Sequence, residues 1–290
     1  MTENYKVEQT ARNVVVVTFP DVNKDWEQWV LLRSDAHHDN VDCNRAMERK
    51  HLDKAVERNA LIVDAGDVFC AMQGKFDPRS SKEDCRPEDQ VDAYLDSIVR
   101  HAEEDYAPYI KNWLVIGQGN HETNVLKRHG VDLISNLVHG LNVKGANCFK
   151  GFYGGYVRFM FKIHKTGSIC KNLKYFHGKG GSAPVTKGVI DTARQAEHLP
   201  DAHIVLNGHN HNEYILSTAR ERMTKRSGVG RDLIQFVRTP GYKDEYGDGA
   251  RGYGVELGGG PKPLGCAWMR FFLRDAHTKE IGVELTSDVA

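Results

Sequence analysis

The sequence predicts an α/β protein with mixed β-sheets. Short apolar runs rich in β-branched residues alternate with longer amphipathic segments, which is typical of strands and helices packed into layers. The second half contains more strand-like runs than the first, and this favours mixed sheets over purely parallel ones. A chain of 290 residues can bury a sizeable core. No break in composition marks a boundary, so we expect a single domain over 1–290.

The individual elements follow from the periodicity of the apolar residues. Strands are predicted at 13–19, 28–34, 60–66, 112–118, 156–164, 173–178, 203–208, 232–237 and 267–273. Helices are predicted at 44–59, 88–105, 131–141 and 186–199. Two stretches have no clear period, an insertion at 71–89 and a glycine-rich loop at 241–265. Loops as long as the second are usually functional or mobile.

Composition excludes several classes of protein. The 39 basic and 39 acidic residues give a net charge of zero, so no overall field attracts nucleic acid or a membrane. No run approaches the roughly 18 apolar residues of a membrane span, and the first residues lack a signal-peptide pattern. The six cysteines form no C-x-x-C pair, which argues against a zinc ribbon or a disulfide scaffold. We expect reduced thiols in a cytoplasmic protein with no membrane partner.

Five of the predicted strands carry polar side chains that can bind metals at or directly after their carboxyl ends. The sequences at these ends are Asp35-x-His37, Gly66-Asp67, Gly119-Asn120-His121, His177 and Gly208-His209-x-His211. In α/β sheets the carboxyl ends of the strands form the edge where ligands bind. Residues two apart in an extended chain point to the same side, so each D-x-H or H-x-H pair can converge on one volume. The glycines allow tight turns and a close approach to an anion.

The pooled side chains predict a centre of two divalent transition-metal ions. Mixed imidazole and carboxylate ligands suit manganese, iron, zinc, cobalt or nickel better than magnesium or calcium, and we take manganese first. Two such ions about 3.5–4 Å apart activate water and clamp the oxygens of a phosphoryl transfer. The expected ligands are Asp35, His37, Asp67, Asn120, His177, His209 and His211.

The ordered series D-x-H, G-D, G-N-H, H and G-H-x-H, from 35 to 211, resembles the calcineurin-like metallophosphoesterase superfamily. The resemblance implies a four-layer α/β/β/α sandwich with the dimetal site at the carboxyl ends of the strands. It also implies a hydrolase in which a hydroxide that bridges the metals attacks phosphorus in line. His121 would be a catalytic residue that stabilises the transition state or protonates the leaving oxygen.

The resemblance divides the ligands between the two ions. The first metal would be bound by Asp35, His37 and His211, the second by Asn120, His177 and His209, and Asp67 would bridge them. His164 and His203 compete with His177 for its position. His38, Asp39 and Glu122 are next to the motifs, where they either orient a ligand or lie in solvated loops.

The motifs favour a phosphodiesterase, with a nuclease among the candidates. The arginine of the protein phosphatase motif G-D-x-x-D-R-G is missing from "GDVFCAMQG" at 66–74, whereas G-N-H-E occurs in nucleases and cyclic nucleotide phosphodiesterases. One alternative is a phosphomonoesterase that acts on a nucleotide, a small molecule or a phosphoprotein. The alternative from another class is a metal-binding scaffold without turnover.

Basic residues after two of the motifs are candidates for contacts with the substrate. Arg220 and Arg222 in the run 219–231, and Lys179 beside His177, are expected at the mouth of the site, where they would contact a phosphate ester or a nucleic-acid backbone. The alternative for the run is a solvated, mobile loop. The Pro240-Gly241 turn either presents N–H groups to phosphate or is an ordinary turn. Neither the physiological substrate nor the oligomeric state is predicted.

Overall fold

The fold is described by a computed structural model of the chain. It describes residues 5–72, 84–163, 167–180, 185–186, 188–223, 228–246, 252–256 and 258–290. These residues form two mixed β-sheets with helices on their outer faces. The predicted α/β class and its layered sandwich are therefore confirmed.

The described residues contain thirteen strands. In chain order they are β1 (Lys6–Ala11), β2 (Val14–Phe19), β3 (Glu27–Arg33), β4 (Leu61–Asp64), β5 (Trp113–Ile116), β6 (Phe149–Lys150), β7 (Gly154–Ile163), β8 (Gly167–Phe176), β9 (Ile204–Asn207), β10 (Tyr214–Met223), β11 (Val229–Arg238), β12 (Gly265–Asp275) and β13 (Glu280–Val289). One sheet has the order β1-β2-β7-β8-β9-β11-β10 and the other β13-β12-β3-β4-β5-β6. Strands β3 to β6 are parallel in the six-stranded sheet, and β8, β9 and β11 include two parallel pairs in the seven-stranded sheet.

Helices cover the outer face of each sheet. They are α1 (Arg45–Glu57), α2 (Tyr94–Tyr106), α3 (Asn120–His129), α4 (Leu133–Val143), α5 (Val189–His198) and the short α6 (Tyr253–Glu256). The first four pack on the six-stranded sheet through one apolar cluster, and α5 packs on the seven-stranded sheet through another. Side-chain caps begin two of them: Asn44 accepts from the N–H of Met47, and Asp132 accepts from that of Ser135.

A third apolar cluster fills the space between the sheets. Strand β7 shows why it forms: Val157, Phe159 and Phe161 are buried while Arg158 between them is exposed, because side chains alternate across a strand. The ring of Phe271 on the other sheet lies 4.8 Å from that of Phe159 and 5.2 Å from that of Phe161. This packing holds the two sheets face to face, towards the starts of β3 and β8 and away from their carboxyl ends.

The nine predicted strands and four predicted helices are all present, with ends that shift by a few residues. Helices α3 and α6 and strands β1, β6, β10 and β13 were not predicted. The solvated-loop alternative for the run 219–231 is wrong, because β10 and β11 pair as an antiparallel hairpin around the undescribed residues 224–227. Strand β10 is an edge strand, and edge strands carry charges that hide their apolar alternation.

The two irregular stretches are described only in part. Of 71–89, residues 73–83 lie outside the described residues, and a single 3₁₀ turn closes the rest at Pro87–Asp89. Of 241–265, residues 247–251 and 257 lie outside, and α6 lies between them. Within the described ranges, no helix has the length and apolar character that crossing a bilayer requires.

Candidate metal centre

The carboxyl ends of five parallel strands meet at one edge of the sandwich. Strands β3, β4 and β5 supply it from the six-stranded sheet, and β8 and β9 from the seven-stranded sheet. The residues that follow these strands are the seven predicted ligands: Asp35, His37, Asp67, Asn120, His177, His209 and His211. The structure brings all of them into one site between the two sheets.

The first group joins Asp35, His37 and His211. Their ligand atoms all lie within 4.8 Å of one another. The Nε2 atoms of His37 and His211 are 3.3 Å apart, and Nε2 of His211 is 3.4 Å from Oδ1 of Asp35. These are the three residues that the family resemblance assigns to the first metal.

The second group joins Asp67, His177 and His209, again with ligand atoms within 4.8 Å of one another. Nε2 of His177 lies 3.1 Å from Oδ2 of Asp67 and 3.1 Å from Oδ1 of Asn120. The rings of His177 and His209 are 5.2 Å apart between centroids. Asn120 therefore belongs to this group, because its Oδ1 contacts the same nitrogen of His177 that Asp67 contacts.

Most of these ligands sit in a strained backbone conformation. The φ angles are 54° at Asp35, 46° at His37, 55° at Asp67, 73° at His209 and 51° at His211. Left-handed residues other than glycine cost about 1–3 kcal/mol each and cluster where surrounding contacts hold them for function. The side chains therefore converge through left-handed turns beyond the strands, and not through the alternation along an extended strand that the sequence suggested.

Two glycines permit the close packing of these turns. A Cβ on Gly119 would lie 2.0 Å from Oδ1 of Asp67, and a Cβ on Gly208 would lie 2.5 Å from Oδ2 of Asp35. Both distances are far below any contact that carbon and oxygen can make. Glycine is therefore required at both positions for the carboxylates to stay where they are.

Backbone hydrogen bonds decide which atoms of the ligands face the site. His177 donates from Nδ1 to the carbonyl of Ala65 at 3.2 Å, so its Nε2 is the atom that faces Asp67 and Asn120. The carboxylate of Asp35 accepts from Ser34 Oγ at 2.5 Å and from the N–H of His209 at 2.8 Å, both through Oδ2. Its Oδ1 is buried with no hydrogen-bond partner.

The charges of the site favour a cation. Burial opposes ionisation of His177, yet the Asp67 carboxylate raises the pKa of this imidazole to about 9. Burial likewise works against ionisation of Asp35, but the neighbouring His211 imidazole lowers the pKa of this carboxyl to about 2. The carboxylates thus stabilise positive charge at their imidazole neighbours, where either protons or metal ions supply it.

The residues present fit a pair of transition-metal ions. An orphaned buried oxygen on Asp35 and the Nε2 atoms of His37 and His211, which are 3.3 Å apart, face the same small volume. The set of four imidazoles, two carboxylates and one amide oxygen is the mixture that manganese, iron, zinc or cobalt prefers.

His121 lies beside both groups. Its Nδ1 donates to the carbonyl of Cys70 at 2.5 Å, and its Nε2 is 3.8 Å from Oδ2 of Asp67. Its ring stands edge-on to that of His37, with the ring centroids 4.9 Å apart. The ligand atoms of His37, His121 and Cys70 also lie within 4.8 Å of one another. The backbone contact fixes the ring and leaves Nε2 as the free nitrogen, and 12% of the side chain is exposed.

Glu122 ties two of the ligand loops together. Its buried carboxylate accepts from the N–H of Gly119 at 2.7 Å, of Phe69 at 2.9 Å and of Asp67 at 3.3 Å. Burial, and then the charge of Asp67, raise the pKa of this carboxyl well above its usual value. Of the two roles considered from the sequence, the structure therefore places Glu122 behind the ligands and not in a solvated loop.

His38 and Asp39 are buried, so they are not solvated loop residues, and they do not orient a ligand histidine either. His38 contacts the Asp105 carboxylate through Nε2 at 2.9 Å, and Asp39 accepts from the N–H groups of Cys70 at 2.6 Å and Ala71 at 2.9 Å. Both side chains fix the loops around the site.

Ser34 and Thr239 support Asp35, and the sequence reasoning missed both. Their hydroxyl oxygens are 2.8 Å apart, and Ser34 bonds Asp35 directly. The Pro240-Gly241 turn follows, and the N–H of Tyr242 donates to the carbonyl of Asp35 at 3.0 Å. The hydroxyls next to the D-x-H motif and next to the Pro-Gly turn were the available signals. The turn packs against the backbone of Asp35.

The competitors of His177 do not displace it. His203 precedes β9, at the opposite end from His209, and its Nδ1 accepts from the N–H of Asn172 at 3.1 Å. His164 lies outside the described residues.

Arg220 and Arg222 do not lie at the mouth of the site, contrary to expectation. Both bond the carboxylate of Asp232, at 3.1 and 3.3 Å, and Arg220 donates to the carbonyl of Ala202 at 3.0 Å. Ala202 precedes β9, whose other end leads to His209. The reason is that β10 is an extended strand that rises about 3.3 Å per residue. Arg220 therefore lies about 20 Å from Tyr214, the first residue of β10. Lys179, two residues after His177, is exposed.

Comparisons with known proteins give distant likenesses. The chain is similar to a conserved uncharacterised protein from Streptococcus pneumoniae described as a predicted phosphoesterase, with 12% identity, a TM-score of 0.29 and coverage of 91% of this chain and 99% of that one. It is also similar to GAP50, the anchor in the inner membrane complex of Plasmodium, with 9% identity, a TM-score of 0.44 and coverage of 90% and 84%. No protein-family model and no curated protein sequence matches the chain. The functional assignment therefore rests on the residues of the site.

Proposed function

We propose that the protein is a phosphoesterase that depends on two divalent transition-metal ions and hydrolyses phosphodiesters. One observation carries this proposal. Two groups of imidazole and carboxylate atoms, one containing Asp35 and the other Asp67, lie side by side at the carboxyl ends of parallel strands. A pair of adjacent sites built from such ligands suits phosphoryl transfer.

The proposal gives each residue a role. Asp35, His37 and His211 would hold the first ion, Asn120, His177 and His209 would hold the second, and Asp67 would serve both. When bound, the ions polarise the phosphate ester and make water a nucleophile at neutral pH. Manganese is our first choice, with iron, zinc, cobalt and nickel as alternatives.

His121 then acts on the leaving oxygen. Its bond to the Cys70 carbonyl holds the ring in one orientation, with Nε2 3.8 Å from Asp67. A nitrogen in this place can donate a proton to a leaving alkoxide or hydrogen-bond the transition state. His121 is thus a catalytic residue in this proposal and not a ligand.

The surroundings of the site support a diester substrate. A phosphomonoester carries two negative charges near neutral pH and a diester one, so monoesterases need more cations near the phosphate. Arg220 and Arg222 are committed to Asp232 at the far edge, whereas Lys179, two residues after His177 in the sequence, is exposed.

The six cysteines, all within the described residues, are free thiols, which supports a reducing compartment such as the cytoplasm.

Hydrolysis of model esters tests the proposal. We expect protein loaded with Mn²⁺ to hydrolyse bis(p-nitrophenyl) phosphate faster than p-nitrophenyl phosphate, and Asp67→Asn to remove the activity. The control Arg220→Ala, at the opposite edge, should keep it. A preference for the monoester would favour the phosphomonoesterase, and no hydrolysis of either ester by metal-loaded protein would favour a scaffold without turnover. Single-stranded DNA, double-stranded DNA and RNA as further substrates decide whether the diesterase is a nuclease.

A further inference from the structure

We propose that a second type of metal site, for one thiophilic divalent ion such as Zn²⁺, lies between α1 and the β12–β13 pair. Its ligands are His51, Cys266 and Asp288. Their ligand atoms, one nitrogen, one sulfur and one oxygen, all lie within 4.8 Å of one another. None of these residues belongs to the candidate dimetal centre.

The fold places the three side chains together. Cys266 and Asp288 are directly opposite each other in the antiparallel pairing of β12 and β13, so both side chains leave the sheet on the same face. Helix α1 packs over that face and supplies His51 from its buried side. The cluster therefore joins the first helix of the chain to its last two strands.

A buried tyrosine orients two of the ligands. The hydroxyl of Tyr242 is 3.1 Å from Nδ1 of His51, and it also hydrogen-bonds Cys266. All three groups are satisfied when Nδ1 donates to the hydroxyl and the hydroxyl donates to the sulfur. In that arrangement Nε2 of His51 keeps its lone pair, which is the way that a metal-binding histidine is usually held.

The third ligand keeps one oxygen free. Lys54 and Trp268 both donate to Oδ2 of Asp288, at 2.6 and 3.0 Å. Oδ1 points instead towards Nε2 of His51, from which it is separated by 3.7 Å. This distance is too long for a hydrogen bond. Ligands that each lie about 2.0–2.3 Å from a tetrahedral zinc ion are themselves separated by roughly 3.3–3.7 Å.

The chemistry of the set selects the ion. Cysteine, histidine and aspartate together are ligands of Zn²⁺, whereas the candidate dimetal centre draws on imidazoles, carboxylates and an amide. His51 is 3% exposed and Cys266 is fully buried, while 30% of the Asp288 side chain is open to solvent and offers a path of entry. Binding would use the neutral imidazole of His51 and the thiolate of Cys266, and it would release the thiol proton.

Cobalt absorption tests the site. Co²⁺ bound to a thiolate gives an intense sulfur-to-metal charge-transfer band in the near ultraviolet, and imidazole and carboxylate ligands give none. We expect the full-length protein titrated with Co²⁺ to develop this band, Cys266→Ser to lose it and Cys70→Ser to keep it. Cys70 is the matched control because its sulfur lies near His37 and His121 in the candidate dimetal centre.

Measurement of the bound zinc gives a second test of the site. Protein saturated with Zn²⁺ and then desalted should hold one ion fewer in Cys266→Ser and in Asp288→Asn than in the unaltered chain. Circular dichroism identifies any variant that fails to fold, and the partly exposed Asp288 is the safer of the two positions. The proposal is overturned if no charge-transfer band forms, if Cys70→Ser removes the band, or if both folded variants hold as much zinc as the unaltered chain. Each result is independent of phosphoesterase activity.

Discussion

The carboxylate of Asp35 accepts a hydrogen bond of 2.8 Å from the backbone N–H of His209. Asp35 follows β3 of one sheet and His209 follows β9 of the other, so this bond crosses the sandwich at its carboxyl edge. It forms with Oδ2 and leaves Oδ1 for the first metal of the proposed centre. The two sheets must therefore be in place before either ligand group is complete.

Asp67→Asn should abolish activity and weaken the binding of both metals. The proposed bridging carboxylate neutralises part of the charge of two ions, and the amide that replaces it carries no charge. Metal analysis of the purified variant, beside assays with bis(p-nitrophenyl) phosphate, checks the prediction. Retention of two ions with unchanged affinity would contradict the bridging role.

His121→Asn should keep both metals and slow turnover. A general acid contributes about 10²–10⁴-fold to rate, and its loss matters most when the leaving group is poor. We therefore expect a larger drop in kcat for an alkyl phosphodiester than for bis(p-nitrophenyl) phosphate, at unchanged metal content. A variant that loses a metal instead would make His121 a ligand.

Gly119→Ala should lower metal affinity by about 10–100-fold, the range found when the support of a metal ligand is disturbed. The added Cβ would lie 2.0 Å from Oδ1 of Asp67, so this carboxylate must move. The matched control is Gly260→Ala, since a Cβ on Gly260 meets no atom within 4 Å. Competition with a chromophoric chelator measures both affinities. Equal affinities in the two variants would show that the close approach at Gly119 is unimportant.

His203 should make the protein less stable as the pH falls. Burial, followed by the charges of Lys171 and Arg220, lowers its pKa to about 4 from the model-compound value of 6.5. The unfolded chain therefore takes up the proton first, so the stabilisation is complete above about pH 6.5 and is lost as the pH falls towards 4. Protonation also removes the acceptor used by the N–H of Asn172.

Urea unfolding at pH 7 and pH 5 checks this prediction. His203→Asn does not titrate, so its unfolding free energy should fall less between the two pH values than that of the unaltered chain. His51, whose pKa is also lowered to about 4, remains in both proteins and leaves part of the slope. An identical fall in both proteins would exclude a contribution from His203.

The sequence predicted the buried part of the fold well and its edges poorly. Strands such as β4 and β9 are buried along their whole length and read as continuous apolar runs. Strand β10 escaped prediction because an edge strand alternates arginine and glutamate, and α3 escaped because it begins inside the G-N-H motif with Val125 as its one buried apolar residue. The periodicity of apolar residues reveals an element only where one of its faces is buried, and neither β10 nor α3 has a continuous buried face.

For the site, spacing identified which residues meet but not how they meet. Asp35 and His37 were expected to point to one side along an extended strand, yet both have φ near +50° and lie beyond the end of β3. Glu122, Ser34 and Thr239 act through neighbours that are distant in sequence, so spacing could not assign their contacts. The run of basic residues gave a wrong prediction. Arg220 was expected at the mouth of the site because it is close to the G-H-x-H motif in sequence, but it is far from that motif in space.

The hydrogen bond between Asp35 and His209 makes the geometry of the candidate metal centre depend on the alignment of the two sheets. A slip of one sheet against the other by a single ångström would break this bond and separate His211 from Asp35 while leaving every strand intact. Mild heat or denaturant should therefore release the proposed metals before circular dichroism registers any loss of β-structure. The ability to hold metal would then report tertiary alignment earlier than any spectroscopic measure of secondary structure.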